Sequence, residues 1–582
     1  MNATYATVAI ALITIVTLAV GGLGMRWSRT TSDFYVASRS VSPMWNASAI
    51  SGEYLSAASF LGVAGLVFAY GLDMLWYPVG YAAGYLVLLL FVAAPLRRSG
   101  AYTLPDFAEA RLGSAHVRRL ASVLVVVIGW LYLVPQLQAA GLTLQTTTGA
   151  PRWLGGLLVT VVVLASVLSG GMRSITAVQA FQYWVKLTAI SIPLIFCAIL
   201  WSHHGSPAVT EHPHPTFDKA TTVRIDTAVT VDVPASVKID AHGRIDGRPQ
   251  SGPFTLTAGR HRVAKDARLN FPAGAAVPVV KGSAAADNHL WAGPFASPIG
   301  HHPLYATYSL VLATFLGTMG LPHVLVRFYT NPDGHAARRT AMVVLGLLGA
   351  FYLLPTAYGA LGRLYTPQLL LTGKTDAVVL LLPGQLISGT GGQLLGALTA
   401  AGAFAAFLST SSGLTVSVAG VLAQDVLPAA HGVRGFRTGT VLAILAPYAF
   451  AVAAANLSIA DAVGLAFAVA ASSFCPLLLL GIWWRGLTDV GAAAGLIAGG
   501  GLATAAVLTT MLAHPTAGWT GSLFAEPAAL TVPISFAVMI TVSKLSRARI
   551  SDRVNAVMVM MHAPESLQLP RADRWEPAPD DR

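Results

Sequence analysis

The sequence predicts an all-α integral membrane protein with about thirteen transmembrane helices and one polar, β-rich extracytoplasmic insertion. Three observations predict it. Of 582 residues, 54% are hydrophobic and only 10% charged, which excludes a soluble enzyme. Apolar runs of about 18 residues or more recur along the chain, each long enough to cross a bilayer. The basic residues behind the formal charge of +11 fall in alternate short loops. That distribution reports membrane topology and argues against a nucleic-acid partner.

The expected spans cover about 5–24, 43–70, 74–95, 119–148, 153–170, 174–201, 304–329, 339–362, 392–426, 438–455, 458–483, 487–512 and 525–546. The first has no basic residue before it and Arg26 and Arg29 after it. A signal peptide has the reverse order, so this helix is expected to be retained with its N-terminus outside. Threading from there puts Arg39, Arg97, Arg98, Arg111, Arg118, Arg119, Arg173, Arg338, Arg339, Arg434, Arg437 and Arg485 in cytoplasmic loops. Lys544, Arg547, Arg549 and Arg553 are also on the cytoplasmic side, and the tail after about Arg553 is expected to be disordered. The opposite loops hold little beyond Arg152, Arg363 and Lys374. A bacterial cytoplasmic membrane is the expected location. Cys197 and Cys475 sit in separate apolar segments, so no disulfide and no metal site is expected from them.

Residues 203–303 break the apolar pattern and thread to the outside. The run from Thr222 to Val233 alternates with period two, as a half-buried strand does. Val237 to Gly247 reads as a hairpin whose turn lies in Ala241–Arg244, and Phe254–Thr257 and Val277–Val280 add weaker strand signals. A loop without regular structure is the competing reading. The pairs His203-His204 and His301-His302 lack metal-ligand spacing.

Two stretches carry chemistry. The first runs from Ile50 to Gly65 inside an apolar span and holds Glu53 near the bilayer midplane. An ionisable group at that depth marks a pathway, or is paired within a packed bundle. Ser51, Gly52, Ser56, Ala57, Ala58 and Ser59 around it allow close packing or a break with free carbonyls. The second runs from Ala403 to Gly413 and contains four consecutive hydroxyl residues, Ser409 to Ser412. These either bond back to carbonyls one turn earlier or present oxygens to a hard cation. Ser409, Thr410 and the carbonyl of Ala406 form one face, which carbonyls from a break at Gly52–Leu55 would complete.

These residues resemble the sodium:solute symporter family across nearly all of the apolar length. The stretch Ser169 to Gln182, with its Gly170-Gly171 pair, is similar to that family's signature between core helices four and five. Ala406 to Thr410, followed by Asp425, is similar to its sodium-binding pattern. Ser32–Arg39, Ser51–Gly62, Tyr102–Phe107 and Gly320–Phe328 resemble the acetate and monocarboxylate permease branch.

The resemblance implies a LeuT-type inverted repeat of five plus five helices at about 43–202 and 304–483. An extra helix and loop at about 1–42 precede it. The insertion at 203–303 separates its halves, and two more helices at 484–547 and a tail at 548–582 follow. Gly317, Gly320 and Pro322 supply the break in the second half. Carried over by residue, sodium would bind the carbonyls of Gly52, Leu55 and Ala406 and the hydroxyls of Ser409 and Thr410. Many relatives have aspartate where this chain has Gln179. Glu53 and Gln179 are therefore assigned to the ion path, and a proton is the alternative coupling ion to sodium.

Ser56, Ser59, Gln136, Thr314 and Thr318 are the expected substrate residues, their hydroxyl and amide groups suiting a small carboxylate. Lys186 and Arg327 are expected near helix ends, snorkelling to the interface. The implied activity is cation-coupled symport of acetate, propionate or pyruvate, with no catalysis and no cofactor beyond the coupling sodium. A symporter for proline, pantothenate or a sugar, or a transport-like sensor, are the alternatives.

Overall fold

The structure is a computed structural model that describes residues 3–25, 41–294, 302–426, 432–453, 459–513, 518–550, 553–564 and 567. The stretch Ser32–Arg39 and the tail beyond Leu567 lie outside the described residues. Among those described, 11 helices are long and apolar enough to cross a membrane. The sequence-based count is higher for two reasons. One continuous apolar unit, Ala58–Arg98, merges the expected 74–95 span with the second half of 43–70, and Arg152–Leu168 is among the shorter apolar helices. The fold is the expected helical membrane class.

The first helix, α1, covers Ala3–Met25. The next begins with Pro43 in its first turn, where a missing N–H costs nothing, and α2 runs Pro43–Tyr54. It stops at Leu55, whose ψ of 82° is not helical. Helical geometry resumes through Ala58–Gly62 into α3, Val63–Tyr70. After a turn at Gly71 comes α4, Trp76–Val87. The short α5, Leu104–Leu112, opens on a reciprocal cap in which Thr103 and Asp106 bond each other's backbone N–H, and closes on Gly113 in the left-handed region. Then follow α6, Ala115–Thr148, and α7, Arg152–His203. The side chains of 169–173, including the Gly170-Gly171 pair, lie outside the described residues.

The second half repeats the interruption. Helix α8, Pro303–Gly320, ends at Leu321, whose ψ is 113°, and α9, Pro322–Val326, starts again. Pro322 explains the position: it lacks an N–H and pushes the residue before it out of the helical region. Gly317 and Gly320 do not themselves break the helix. A Cβ on either would lie 2.5 Å from a carbonyl oxygen, of Phe467 or Ala470, so they permit close packing instead. Next come α10, Gly334–Tyr365, α11, Gly389–Val421, α12, Gly432–Ala453, and α13, Ile459–Trp483. Two further apolar spans end the described bundle, Asp489–Met511 and Ala528–Leu545.

The insertion holds β1 (Thr221–Arg224), β2 (Val229–Val233), β3 (Val237–Ile245), β4 (Arg248–Leu256), β5 (Gly259–Val263), β6 (Arg268–Phe271) and β7 (Val279–Val280) in one antiparallel sheet of order β1-β6-β3-β5-β2-β7, with β4 on β3. The expected strand 222–233 is two strands, β1 (Thr221–Arg224) and β2 (Val229–Val233), pairing different neighbours. Between them Asp226 turns out to meet Lys374. The expected hairpin turn is corrected as well. Val237–Ile245 is a single strand, β3, and the chain reverses at Asp246-Gly247, with φ of 51° and 78°. Asp-Gly suits a two-residue turn that needs positive φ at both positions. The fold class of this segment is the expected β-rich one.

The sheet is tied to the helices. Trp291 Nε1 donates to Val67 O at 2.7 Å, and Ala285 N to Ala69 O at 2.8 Å. Buried Arg363 donates to Ala285 O at 2.6 Å and to Phe68 O at 3.2 Å. These bonds fix the insertion against the far end of α3.

Candidate functional site

Both interruptions lie deep in the bundle, and the expected residues gather around the first. Gln136, on α6, takes the backbone N–H of Ala57 on its Oε1 at 2.8 Å, and Ser56 Oγ takes that of Ala58 at 3.2 Å. They replace the intrahelical partners that the break removes. Because Oε1 is the acceptor, Gln136 Nε2 has no partner among the described residues. Ser59 Oγ meets Tyr352 OH at 3.0 Å. Thr318 joins from the second break through Tyr54 OH at 3.0 Å while donating to Thr314 O at 2.7 Å. Thr314 stands apart: its hydroxyl donates to Leu310 O at 2.8 Å and packs on Gly80.

The aromatic cluster beside this break escaped the sequence reading. Tyr54 packs edge-on against Tyr85 with centroids 4.8 Å apart, and Tyr81 lies 4.9 Å from Phe467 and stacks on Tyr352 at 5.7 Å. The hydroxyls of Tyr81 and Tyr85 are buried and have no partner among the described residues. The usable signal was spacing, since Tyr77, Tyr81 and Tyr85 recur every four residues and so share one helix face.

The charged centre departs more sharply from expectation. Arg327 and Lys186 do not snorkel: they are 1% and 0% exposed. Arg327 Nε donates to Glu53 Oε2 at 2.8 Å, and its other nitrogens reach Thr176 Oγ1 at 2.7 Å and Gln179 Oε1. Gln179 in turn donates to Ser409 O at 2.8 Å. Glu53 is thus half of a buried ion pair, and Gln179 links that pair to α11. For Lys186 the depth was readable. It lies about twelve residues into its span, roughly 18 Å at helical rise, which is the middle of the bilayer.

Four of the five oxygens expected to hold sodium draw together, while the fifth, Thr410 Oγ1, is turned to the carbonyl of Glu53. Ser409 Oγ donates to Gly52 O at 2.6 Å and to Ala406 O at 3.0 Å, and Thr410 Oγ1 donates to Glu53 O at 2.6 Å. Gly52 allows this, since a Cβ there would sit 2.2 Å from Gln179 O. Into the same cluster projects the ammonium of Lys186. It donates to Leu55 O at 2.8 Å, to Ser409 Oγ at 2.9 Å and to Gly52 O. Three of the five expected ligands are therefore engaged by a tethered cation. A second unit charge about 4 Å away would be repelled by about 4 kcal/mol at an effective dielectric near 20. Lysine and sodium do not fit this cluster together.

Near the start of α6, Arg118 joins three acidic residues: Asp106 at 2.9 Å, Glu109 at 2.6 Å and Asp425 at 2.7 Å. Asp425, which follows the hydroxyl stretch, thus clamps the end of α11 to α5 and α6.

A model described as the sodium:solute symporter family matches residues 34–217 and 284–499. The gap between the two matches contains all seven strands. An uncharacterized symporter of Bacillus subtilis (strain 168) is 27% identical over 553 residues, covering 92% of this chain and 93% of its own. A monocarboxylic acid transporter of Corynebacterium glutamicum is 28% identical over 558 residues, covering 91% and 89%. Among solved structures, a Na+-coupled sialic acid symporter in a substrate-bound outward-open state matches with a TM-score of 0.58. Its identity is 12%, with 94% of this chain and 98% of that one covered, so the likeness is one of fold.

Proposed function

The chain belongs to the sodium:solute symporter family, and on that premise we propose that it is a cation-coupled symporter of short-chain monocarboxylates such as acetate, propionate or pyruvate. It is a multi-pass membrane protein and a transporter, not an enzyme. In the proposed orientation, in a bacterial plasma membrane, the N-terminus and the sheet lie outside and the tail is cytoplasmic. The alternation of arginine-rich loops supports this.

The observation that carries the substrate class is the set of buried donors without acceptors at the first break: Gln136 Nε2, Tyr81 OH and Tyr85 OH. Buried polar groups are nearly always paired, so an unpaired set marks where a ligand completes the bonding. An amide N–H has only a proton to offer, and a carboxylate has only lone pairs to accept it. The N-terminal end of the half-helix after Ser56 adds partial positive charge at the same place. The formal charges of Arg327, Lys186 and Glu53 sum to one positive unit, which one carboxylate neutralises.

The neighbouring side chains are tyrosine and phenylalanine, which suit a ligand of few atoms and distinguish poorly between acids differing by one methylene, a difference of only about 1–3 kcal/mol. The relative named a monocarboxylic acid transporter supports the same class. Uptake of labelled acetate in cells producing the protein tests it. Propionate and pyruvate should compete while proline and glucose do not. Competition by proline or glucose with none by propionate would move the chain to another substrate.

A further inference from the structure

From the position of Lys186 we propose that its ammonium is the resident cation of the cluster formed by Gly52, Leu55 and Ser409, and that this protein runs without sodium there. This deepens the proposed symport activity and rests on it for the meaning of the site, though not for its test.

The geometry is that of an occupied cation site. The ammonium is fully buried and offers its protons to two main-chain carbonyls at the end of α2 and one hydroxyl on α11. An ammonium has three donors and no acceptor, and here it meets three acceptors. Two of them are carbonyls of the last turn before the break, where the helix terminus carries partial negative charge. The hard-oxygen set that would strip water from a sodium ion thus solvates the lysine instead.

Delivery of the lysine is structural rather than incidental. Lys186 lies seven residues beyond Gln179 on α7, two turns along the same face. At Gln179 the two helices touch so closely that Gly52 has no room for a side chain. The seam therefore aims Lys186 at the carbonyls of Gly52 and Leu55. Among the described residues, Glu53 is the charged group facing it from the neighbouring helices, and Glu53 is held by Arg327 at 2.8 Å. A sodium ion would have to displace a covalently attached cation that cannot diffuse away.

The test compares purified wild-type protein with Lys186→Ala, and with Lys186→Gln should the alanine variant not fold. Melting midpoints are measured in sodium chloride and in choline chloride of equal concentration. The wild type should melt at the same temperature in both salts. The variants, with the oxygen cluster emptied, should gain a sodium-specific rise that grows with the logarithm of sodium concentration. A sodium-dependent rise in the wild type overturns the proposal, and so does a variant as indifferent to sodium as its parent.

The second arm uses wild-type proteoliposomes and counterflow of labelled pyruvate with and without sodium. Equal rates support the proposal, and a rate that requires sodium overturns it. Should no monocarboxylate show counterflow, the substrate reading fails while the melting comparison still decides the role of Lys186.

Discussion

Replacing Gly413 with alanine tests the charged centre by geometry alone. A Cβ at this position would lie 1.9 Å from Glu53 Oε1 and 2.0 Å from its carboxyl carbon. An ordinary contact is about 3.5–4.0 Å, so the carboxylate must move by about 1.5 Å or more. Such a shift forfeits the 2.8 Å bond from Arg327, in a pair whose side chains are each 1% exposed. Breaking a buried pair costs about 3–5 kcal/mol because the remaining charge is left uncompensated. Alanine in place of a helical glycine returns about 1 kcal/mol. The expected net loss is about 2–4 kcal/mol, or a factor of roughly thirty to a thousand.

In a Glu53→Ala background the obstructing atoms are gone. The same Gly413→Ala change should then stabilise by up to about 1 kcal/mol. The sign of the effect therefore inverts between backgrounds. Melting midpoints of the four proteins in one detergent, with pyruvate counterflow beside them, make up the cycle. If Gly413→Ala stabilises the wild type as it does the Glu53→Ala protein, the carboxylate is not where the argument needs it.

Four further outcomes follow from the same contacts. Ser409→Ala removes one acceptor of the Lys186 ammonium and one donor to Gly52 O; it should lower stability by about 1–3 kcal/mol, read as a lower melting midpoint. Tyr85→Phe, which deletes a buried hydroxyl that has no partner among the described residues, should leave melting unchanged. It should nevertheless raise the half-saturating pyruvate concentration about tenfold, as a lost contact of about 1.4 kcal/mol would. Gly247→Ala should destabilise the sheet by about 1–2 kcal/mol, because position 247 is left-handed, and limited proteolysis of the insertion reports it. On intact cells an impermeant thiol reagent should label a cysteine at the exposed position Ser251 but not one at exposed Ala115. The glycine at 243 is unsuitable for a label, since a Cβ there meets Ala267 at 2.7 Å.

What the sequence made legible was what repeats or what is locally forbidden. Length and hydropathy placed the spans, Pro322 marked the second interruption, and period-two alternation exposed the sheet. Gly243 draws the expected turn too early, because Asp246-Gly247 is the pair with the chemistry of a tight two-residue turn. The charged centre was harder for a physical reason. Glu53 and Arg327 are 274 residues apart, and no local pattern says that a carboxylate in one half meets a guanidinium from the other. Lys186 was readable by counting from Ser174, but its destination was not. Nothing in the run around 186 reveals that Gly52, far earlier, brings the carbonyls within reach. The tyrosine face was written in plain spacing along α4, and only the fold shows that Tyr352 of α10 and Phe467 of α13 pack against it.

The central claim is that the chain accumulates a monocarboxylate rather than merely binding it. Purified protein in liposomes, given labelled pyruvate and cation gradients imposed one at a time, measures this directly. The account predicts that under an inwardly directed gradient the internal concentration rises above that of the bath and falls back when an ionophore dissipates the gradient. Saturable binding of pyruvate with no accumulation under any gradient would contradict it, and would make the protein a sensor built on a transporter's frame.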